Sequence, residues 1–156
     1  MVNVDAAFDP VSGGGSMGVI IRGCGGDFVA ASNNFTSHVT VAHRAEAYAL
    51  KDGMLLAQQI GASRLIIVSD SWMVVETMDN RDFSSIATAV IYDECYALWR
   101  DLVDVSIKHS QNDVDRVAHE LARRGFSLNN NCIWVDGPPN FISVELVNDI
   151  TILMNR

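Results

Sequence analysis

Three acids in this chain stand where acids need a reason. Asp5 lies inside Val2-Asn3-Val4-Asp5-Ala6-Ala7-Phe8, which alternates apolar and polar residues through Asp5 and carries β-branched Val2 and Val4, the pattern of a strand. Aspartate is depleted in strands, and a buried unpaired carboxylate is costly, so Asp5 requires a counter-charge. Glu46 falls in the first turns of a predicted long helix, and Asp70 follows the apolar run Leu65-Ile66-Ile67-Val68. If the strands bearing Asp5 and Asp70 are neighbours, with the helix of Glu46 crossing between them, the three acids meet at one sheet end. Clustered carboxylates cannot all stay ionised without cations, and oxygen donors of this kind suit Mg²⁺ or Mn²⁺. Two such ions, ~3.5–4 Å apart, activate a water and stabilise the leaving oxygen in phosphodiester cleavage. Plainer readings exist for two of the acids: Glu46 could complement a helix dipole, and Asp70 could cap a helix. Asp5 has no such reading.

The elements that must position these residues follow from periodicity and punctuation. After the first strand come a Pro- and Gly-rich turn over Asp9–Gly15, a second strand over Met17–Arg22, a tight turn at Gly23–Asp27 and a third strand over Phe28–Ser32, an antiparallel meander. Gly13–Gly18 fits G-x-G-x-x-G and Gly14–Gly18 fits G-x-S-x-G, but each motif needs a strand–turn–helix context, and the segment that follows is β-branched and inside a hairpin. Ala42–Ile60 predicts a helix stopped by Gly61. The run at Leu65–Val68 predicts a fourth strand, followed by a short helix through Met78. Ser84–Leu102 reads as a helix, Val103–Ile107 as a fifth strand, and Asp113–Arg124 as a helix stopped by Gly125. The tail from Phe126 carries Asn129-Asn130-Asn131 and Pro138-Pro139 and reads as irregular, with a short helix near Val144–Leu153. This order predicts an α/β protein: a five-stranded mixed sheet, ordered 3-2-1-4-5, with helices on both faces. The first three strands should be antiparallel, and strands 1, 4 and 5 parallel. Residues 1–125 form the expected domain, with 126–156 as an extension packed on it or trailing from it.

Composition bounds the function. The chain has 156 residues, about half of them apolar, and a net charge of −8. That is one domain with a real core, and its acidity opposes tight, general binding to nucleic acid. No run approaches a membrane span, and no basic-then-apolar leader opens the chain. It opens at once on a strand, which suggests a domain of a longer protein. Cys24, Cys95 and Cys132 form no C-x-x-C pair, so an intracellular, reducing home in nucleus or cytoplasm is expected, and the Asn34-Phe35-Thr36 sequon matters only in a secreted protein.

Four short motifs, in order, resemble ribonuclease H. They are Asn3-Val4-Asp5-Ala6-Ala7-Phe8, Arg44-Ala45-Glu46-Ala47-Tyr48-Ala49-Leu50, Val68-Ser69-Asp70-Ser71 and Val117-Ala118-His119-Glu120-Leu121-Ala122. Within that superfamily they are most similar to the plant RNase H-type, reverse-transcriptase-like domain family, which the tail with Trp134 and Pro138-Pro139 also resembles. The resemblance implies an RNase H-like fold and two-metal hydrolysis of the RNA strand of RNA/DNA hybrids, with Mg²⁺ or Mn²⁺ as cofactor. It implies that Asp5 bridges two ions, that Glu46 and Asp70 each hold one, and that His119 takes the place of a fourth acid. Ser71 would touch the RNA 2′-hydroxyl, with Ala6 and Arg44 also on the substrate side. His109, ten residues before His119, matches the family's mobile loop histidine, a proton shuttle or an aid to product release.

Three departures sharpen the expectation. Imidazole at His119 can ligate, but Mg²⁺ prefers oxygen. Ala6 replaces the family's glycine after the first acid and crowds close backbone approach. The family's basic, aromatic handle is absent, since Arg81 and Arg100 are the only basic residues between Ser71 and Asp101. Weak hybrid affinity follows from the last. The alternative is a catalytically weak or inactive binding or scaffolding module of retroelement-like origin, in which His109 is an ordinary solvated residue and His119 a helix-surface one.

Overall fold

The computed structural model describes residues 1–81, 86–111 and 116–154. Strands β1 (Val2–Phe8), β2 (Gly15–Arg22) and β3 (Phe28–Thr36) form the antiparallel meander. Helix α1 (Ala42–Gln59) leads to β4 (Arg64–Ser69), and α2 (Trp72–Asn80) and α3 (Ile86–Arg100) lead to β5 (Asp104–His109). Then come α4 (Arg116–Leu128), β6 (Cys132–Trp134), a 3-10 turn at Asn140–Ile142 and α5 (Ser143–Met154). The expected starts at Ser84 and Asp113 lie outside the described residues.

The sheet order is β5-β4-β1-β2-β3-β6. The expected 3-2-1-4-5 order is present in full, with β1 parallel to β4 and β4 parallel to β5. The correction is the count: there are six strands, not five. β6 is only three residues long, too short for alternation to show, and side chains of the neighbouring asparagines fix it in place. The Cys132 N–H donates to Asn33 Oδ1 at 3.0 Å, and the Phe35 N–H donates to Asn131 Oδ1 at 2.7 Å.

Helices cover both faces. Val2, Val4, Met17, Val19 and Ile21 pack with Leu50, Met54 and Ala57 of α1 and with Ile91, Tyr92 and Cys95 of α3. On the other face Ile20 and Ala31 pack with Val117, Ala118 and Leu121 of α4 and with Ile142 and Leu146. Arg22, at the end of β2, lies within this second layer. It donates to Asn3 Oδ1 at 3.3 Å and forms an ion pair with Asp149 of α5 at 2.7 Å, both side chains of the pair being fully buried.

Two of the departures from the expected boundaries have a clear cause in packing. β3 continues past Ser32 to Thr36, because Asn33 and Asn34, poor strand formers, are paired to Gly18 and Met17 of β2. Helix α4 does not stop at Gly125. A side chain there would meet Ser16 Oγ at 2.5 Å and Asn33 Cβ at 3.1 Å, so Gly125 is a packing glycine inside the helix. The helix ends at Leu128, and Asn129 takes the left-handed backbone, φ 47°, that closes it. Among the described residues no helix is long and apolar enough to cross a membrane.

Candidate active site

The central strand delivers Asp5. Its register partner on β2 is Gly18, where a Cβ would lie 2.0 Å from the Ala118 carbonyl oxygen and 2.6 Å from the Ala122 nitrogen of α4. Only the missing side chain lets α4 press this closely on the sheet. The approach brings His119, one residue beyond Ala118, to Asp5. His119 Nδ1 lies 2.9 Å from Asp5 Oδ2, and the other oxygen, Oδ1, accepts the Ala6 N–H at 2.8 Å. The Asp5 side chain is 6% exposed and that of His119 is 55% exposed. An ionised carboxylate only accepts, so the bond places the imidazole proton on Nδ1 and leaves Nε2 as the ring's lone-pair nitrogen in the neutral form. Burial is the chief cause that raises the Asp5 pKa above the ordinary 3.8, and the charge of Asp70 adds to it; Ala6 and His119 oppose both.

Glu46 lies on the second turn of α1, beyond the first-turn positions where a carboxylate would complement the helix N-terminus. Asp70 does not cap α2. Ser71 does: its hydroxyl accepts the Val74 N–H at 3.4 Å, and its own N–H donates to Ser69 Oγ at 3.1 Å. The plainer readings of Glu46 and Asp70 therefore lapse. Asp5, Glu46 and Asp70 each offer a carboxylate oxygen within 4.8 Å of the others. Three hard oxygen donors, from β1, from the residue just past the end of its parallel neighbour β4 and from α1, fit Mg²⁺ or Mn²⁺.

The remaining expected residues surround this group unequally. His109 closes β5 opposite Ser69, so it stands on a strand. Its Nε2 lies 3.0 Å from the Asp70 carbonyl oxygen, and its ring meets Trp72 edge-to-face at 5.4 Å. Arg44 lies along α1, with its guanidinium 5.7 Å from the Tyr48 ring centre and one nitrogen 3.4 Å from the Tyr48 hydroxyl. Sequence reasoning missed His43 and Tyr92. The Tyr92 hydroxyl lies 3.2 Å from His43 Nε2. Burial lowers the His43 pKa; burial above all raises that of Tyr92, with the charge of Glu46 among the lesser causes. One signal was available: His43 is three residues before Glu46, on the same helix face.

A family model described as reverse transcriptase-like matches residues 3–125. The chain belongs to the reverse transcriptase-like family. Among curated proteins there is no significant match. Solved structures place the reverse transcriptase-like domain in an RNase H-like fold. RNase H1 of the halophilic archaeon Halobacterium salinarum superposes with a TM-score of 0.76 at 20% identity, covering 81% of this chain and 96% of that one. The N-terminal RNase H domain of a Mycobacterium tuberculosis protein gives 0.74 at 20% identity over 80% and 98%. LC11-RNase H1, from compost and solved in complex with an RNA/DNA hybrid, gives 0.75 at 16% identity over 82% and 96%.

Proposed function

We propose that this domain is a metal-dependent endonuclease that hydrolyses the RNA strand of RNA/DNA hybrids by a two-metal mechanism. The observation that carries this reading is the convergence of Asp5, Glu46 and Asp70 within 4.8 Å at one sheet end. The hybrid bound to the LC11 enzyme, which shares this fold, supports the substrate class. Asp5 would bridge two divalent ions, Mg²⁺ or Mn²⁺, with Glu46, Asp70 and His119 completing the donors. With both ions bound, the site gains water activation and leaving-group stabilisation.

The chain's own groups do the rest. Ala6 and His119 hold the two oxygens of Asp5 in a fixed orientation. The Ser71 hydroxyl spends one lone pair as a helix cap, so its O–H is free in valence to meet an RNA 2′-hydroxyl. At His109 the carbonyl of Asp70 can only accept, so Nε2 carries the proton and Nδ1 is the basic nitrogen of the neutral ring, suited to shuttling a proton. We place the domain in the plant RNase H-type group, acting inside the cell in nucleus or cytoplasm. Free Cys24, Cys95 and Cys132 support a reducing compartment. With a net charge of −8, its own grip on hybrid is weak.

One observation favours the rival, an inactive binding or scaffolding module: His119 occupies the Asp5 oxygen that an ion would need. Labelled RNA/DNA hybrid, single strands and duplexes, each incubated with the domain and Mg²⁺ or Mn²⁺, separate the two. Cleavage confined to the RNA of the hybrid and lost in Asp70→Asn supports the enzyme. No cleavage with either metal, and no metal-induced rise in Tm, supports the module.

A further inference from the structure

Away from the acidic site, a cleft of about 300 Å³ opens between the C-terminal half of α1 and the β3–β6 edge of the sheet. Asp52, Leu55, Leu56 and Gln59 line it from the helix, and Asn34 and Ile133 are among its residues on the strands. Register puts Asn34 opposite Met17 and Ile133 opposite Ser32, on the sheet face that α1 covers. The helix does not reach the edge of that face, and Ile133 is left 59% exposed.

Asp52 is an odd residue for such a place. It sits one turn and a half along α1 from Glu46, beyond any role at the acidic site. Asn34 donates one amide hydrogen to its Oδ2 at 3.1 Å. Among the described residues Oδ1 has no hydrogen-bond partner. The neighbouring cation, Lys51, pairs instead with Glu94 of α3. The carboxylate is thus half-satisfied, with a fixed orientation and an open acceptor edge. Burial raises its pKa to about 6, and the Asn34 hydrogen bond and the charge of Lys51 offset this only in part.

The geometry points to a binding site for a guanidinium group, held by the Asp52 carboxylate between the apolar side chains of Leu55, Leu56 and Ile133. A planar guanidinium is weakly hydrated, so its faces tolerate apolar walls, and its fork of N–H donors matches an open carboxylate edge. An ammonium ion is more strongly hydrated and loses more on entry. A divalent metal would find one carboxylate only, short of the oxygen donors it needs. The net charge of −8 draws cations towards the domain. Two sources can present a guanidinium: an arginine side chain of a partner polypeptide, or a small guanidino compound.

The test titrates the folded ¹⁵N-labelled domain with N-acetyl-arginine amide, with its neutral isostere N-acetyl-citrulline amide and with N-acetyl-lysine amide. The arginine probe should shift the Asn34 side-chain amide and the Leu55 and Ile133 backbone signals, the lysine probe less, and the citrulline probe not at all. Ionisation of a group titrating at about 6 predicts an affinity that rises about tenfold from pH 5 to pH 7. The titratable groups that face Asp52 do not obscure this window: Lys51 stays charged, and Cys95 of α3, pushed up to about 12, stays neutral. Glu94 is paired with Lys51, and Cys132 of β6 lines the cleft. Asp52→Asn should lower affinity at least tenfold and abolish its pH dependence, while melting as a folded protein and leaving any hybrid cleavage unchanged. A peptide with one arginine between apolar residues that binds more tightly than the free probe assigns the polypeptide source; equal affinity assigns the small compound. Equal shifts with arginine and citrulline probes, an affinity unchanged by Asp52→Asn, or no shifts at all would overturn the site. None of these outcomes depends on whether the acidic site is an enzyme.

Discussion

Asp5 is where chemistry and stability oppose each other most directly. A carboxyl whose pKa is raised by folding favours its protonated form in the native state. Its contribution is therefore fully present below the unfolded value, 3.8, and is lost as pH rises through the higher folded value. At neutral pH, without metal, ionised Asp5 destabilises the fold. Asp5→Asn should raise the Tm in chelator near pH 7, show no gain below about pH 4, and abolish hydrolysis of hybrid. Thermal melts across that pH range beside a cleavage assay check this; a strongly destabilised Asn variant would make Asp5 a structural partner of His119. At His119 itself, three acids and an imidazole carry one negative charge fewer than four acids. Activity should be better supported by Mn²⁺ than by Mg²⁺, and His119→Asp should tighten Mg²⁺ binding by roughly tenfold. Calorimetric titration of both proteins with both ions reads this out, and unchanged affinities would remove His119 from the metal site.

The acids are placed by elements whose ends and contacts decide the geometry. Ser71→Ala removes the cap of α2 beside Asp70 and should cost about 1 kcal/mol in urea unfolding. Gly18→Ala should cost about 3 kcal/mol or more, or prevent folding, because the added carbon meets backbone of α4 that cannot move without pulling His119 away. Much of this layer was legible beforehand. A carboxylate inside a β-branched strand announced Asp5, and apolar runs and helical spacing announced the strand order on which Glu46 and Asp70 depend. What escaped was set by contacts distant in sequence. Gly125 reads as a helix stop until Ser16 and Asn33 are seen beneath it. Asn129, Asn130 and Asn131 read as an irregular tail, yet Asn129 closes α4, the Asn130 N–H returns to the Gly125 carbonyl, and Asn131 fixes the edge of β3. The His43–Tyr92 pair joins residues 49 apart on α1 and α3, which no local pattern encodes.

The molecule as a whole is acidic around a site that must receive a polyanion. With few basic groups to neutralise phosphates, hybrid binding should be weak and fall only shallowly with salt, measurable by fluorescence anisotropy at two salt concentrations. Its stability leans on one charge pair in the second layer of the core. Asp149→Ala should cost about 3–5 kcal/mol, because Arg22 stays buried when its carboxylate is gone. Asp149→Asn should cost less, since an amide oxygen can still accept from the guanidinium.

That pair also sets an order in time. Asp5, Glu46, Asp70 and His119 have all been synthesised when the ribosome is still well short of α5, and the sheet that holds them contains Arg22. The partner of Arg22 arrives 127 residues after it. Until Asp149 clears the exit tunnel, a nascent domain with every candidate ligand in hand still lacks the carboxylate that Arg22 pairs with in the folded protein. The candidate ligands are encoded early, and the carboxylate that pairs with Arg22 comes only with α5.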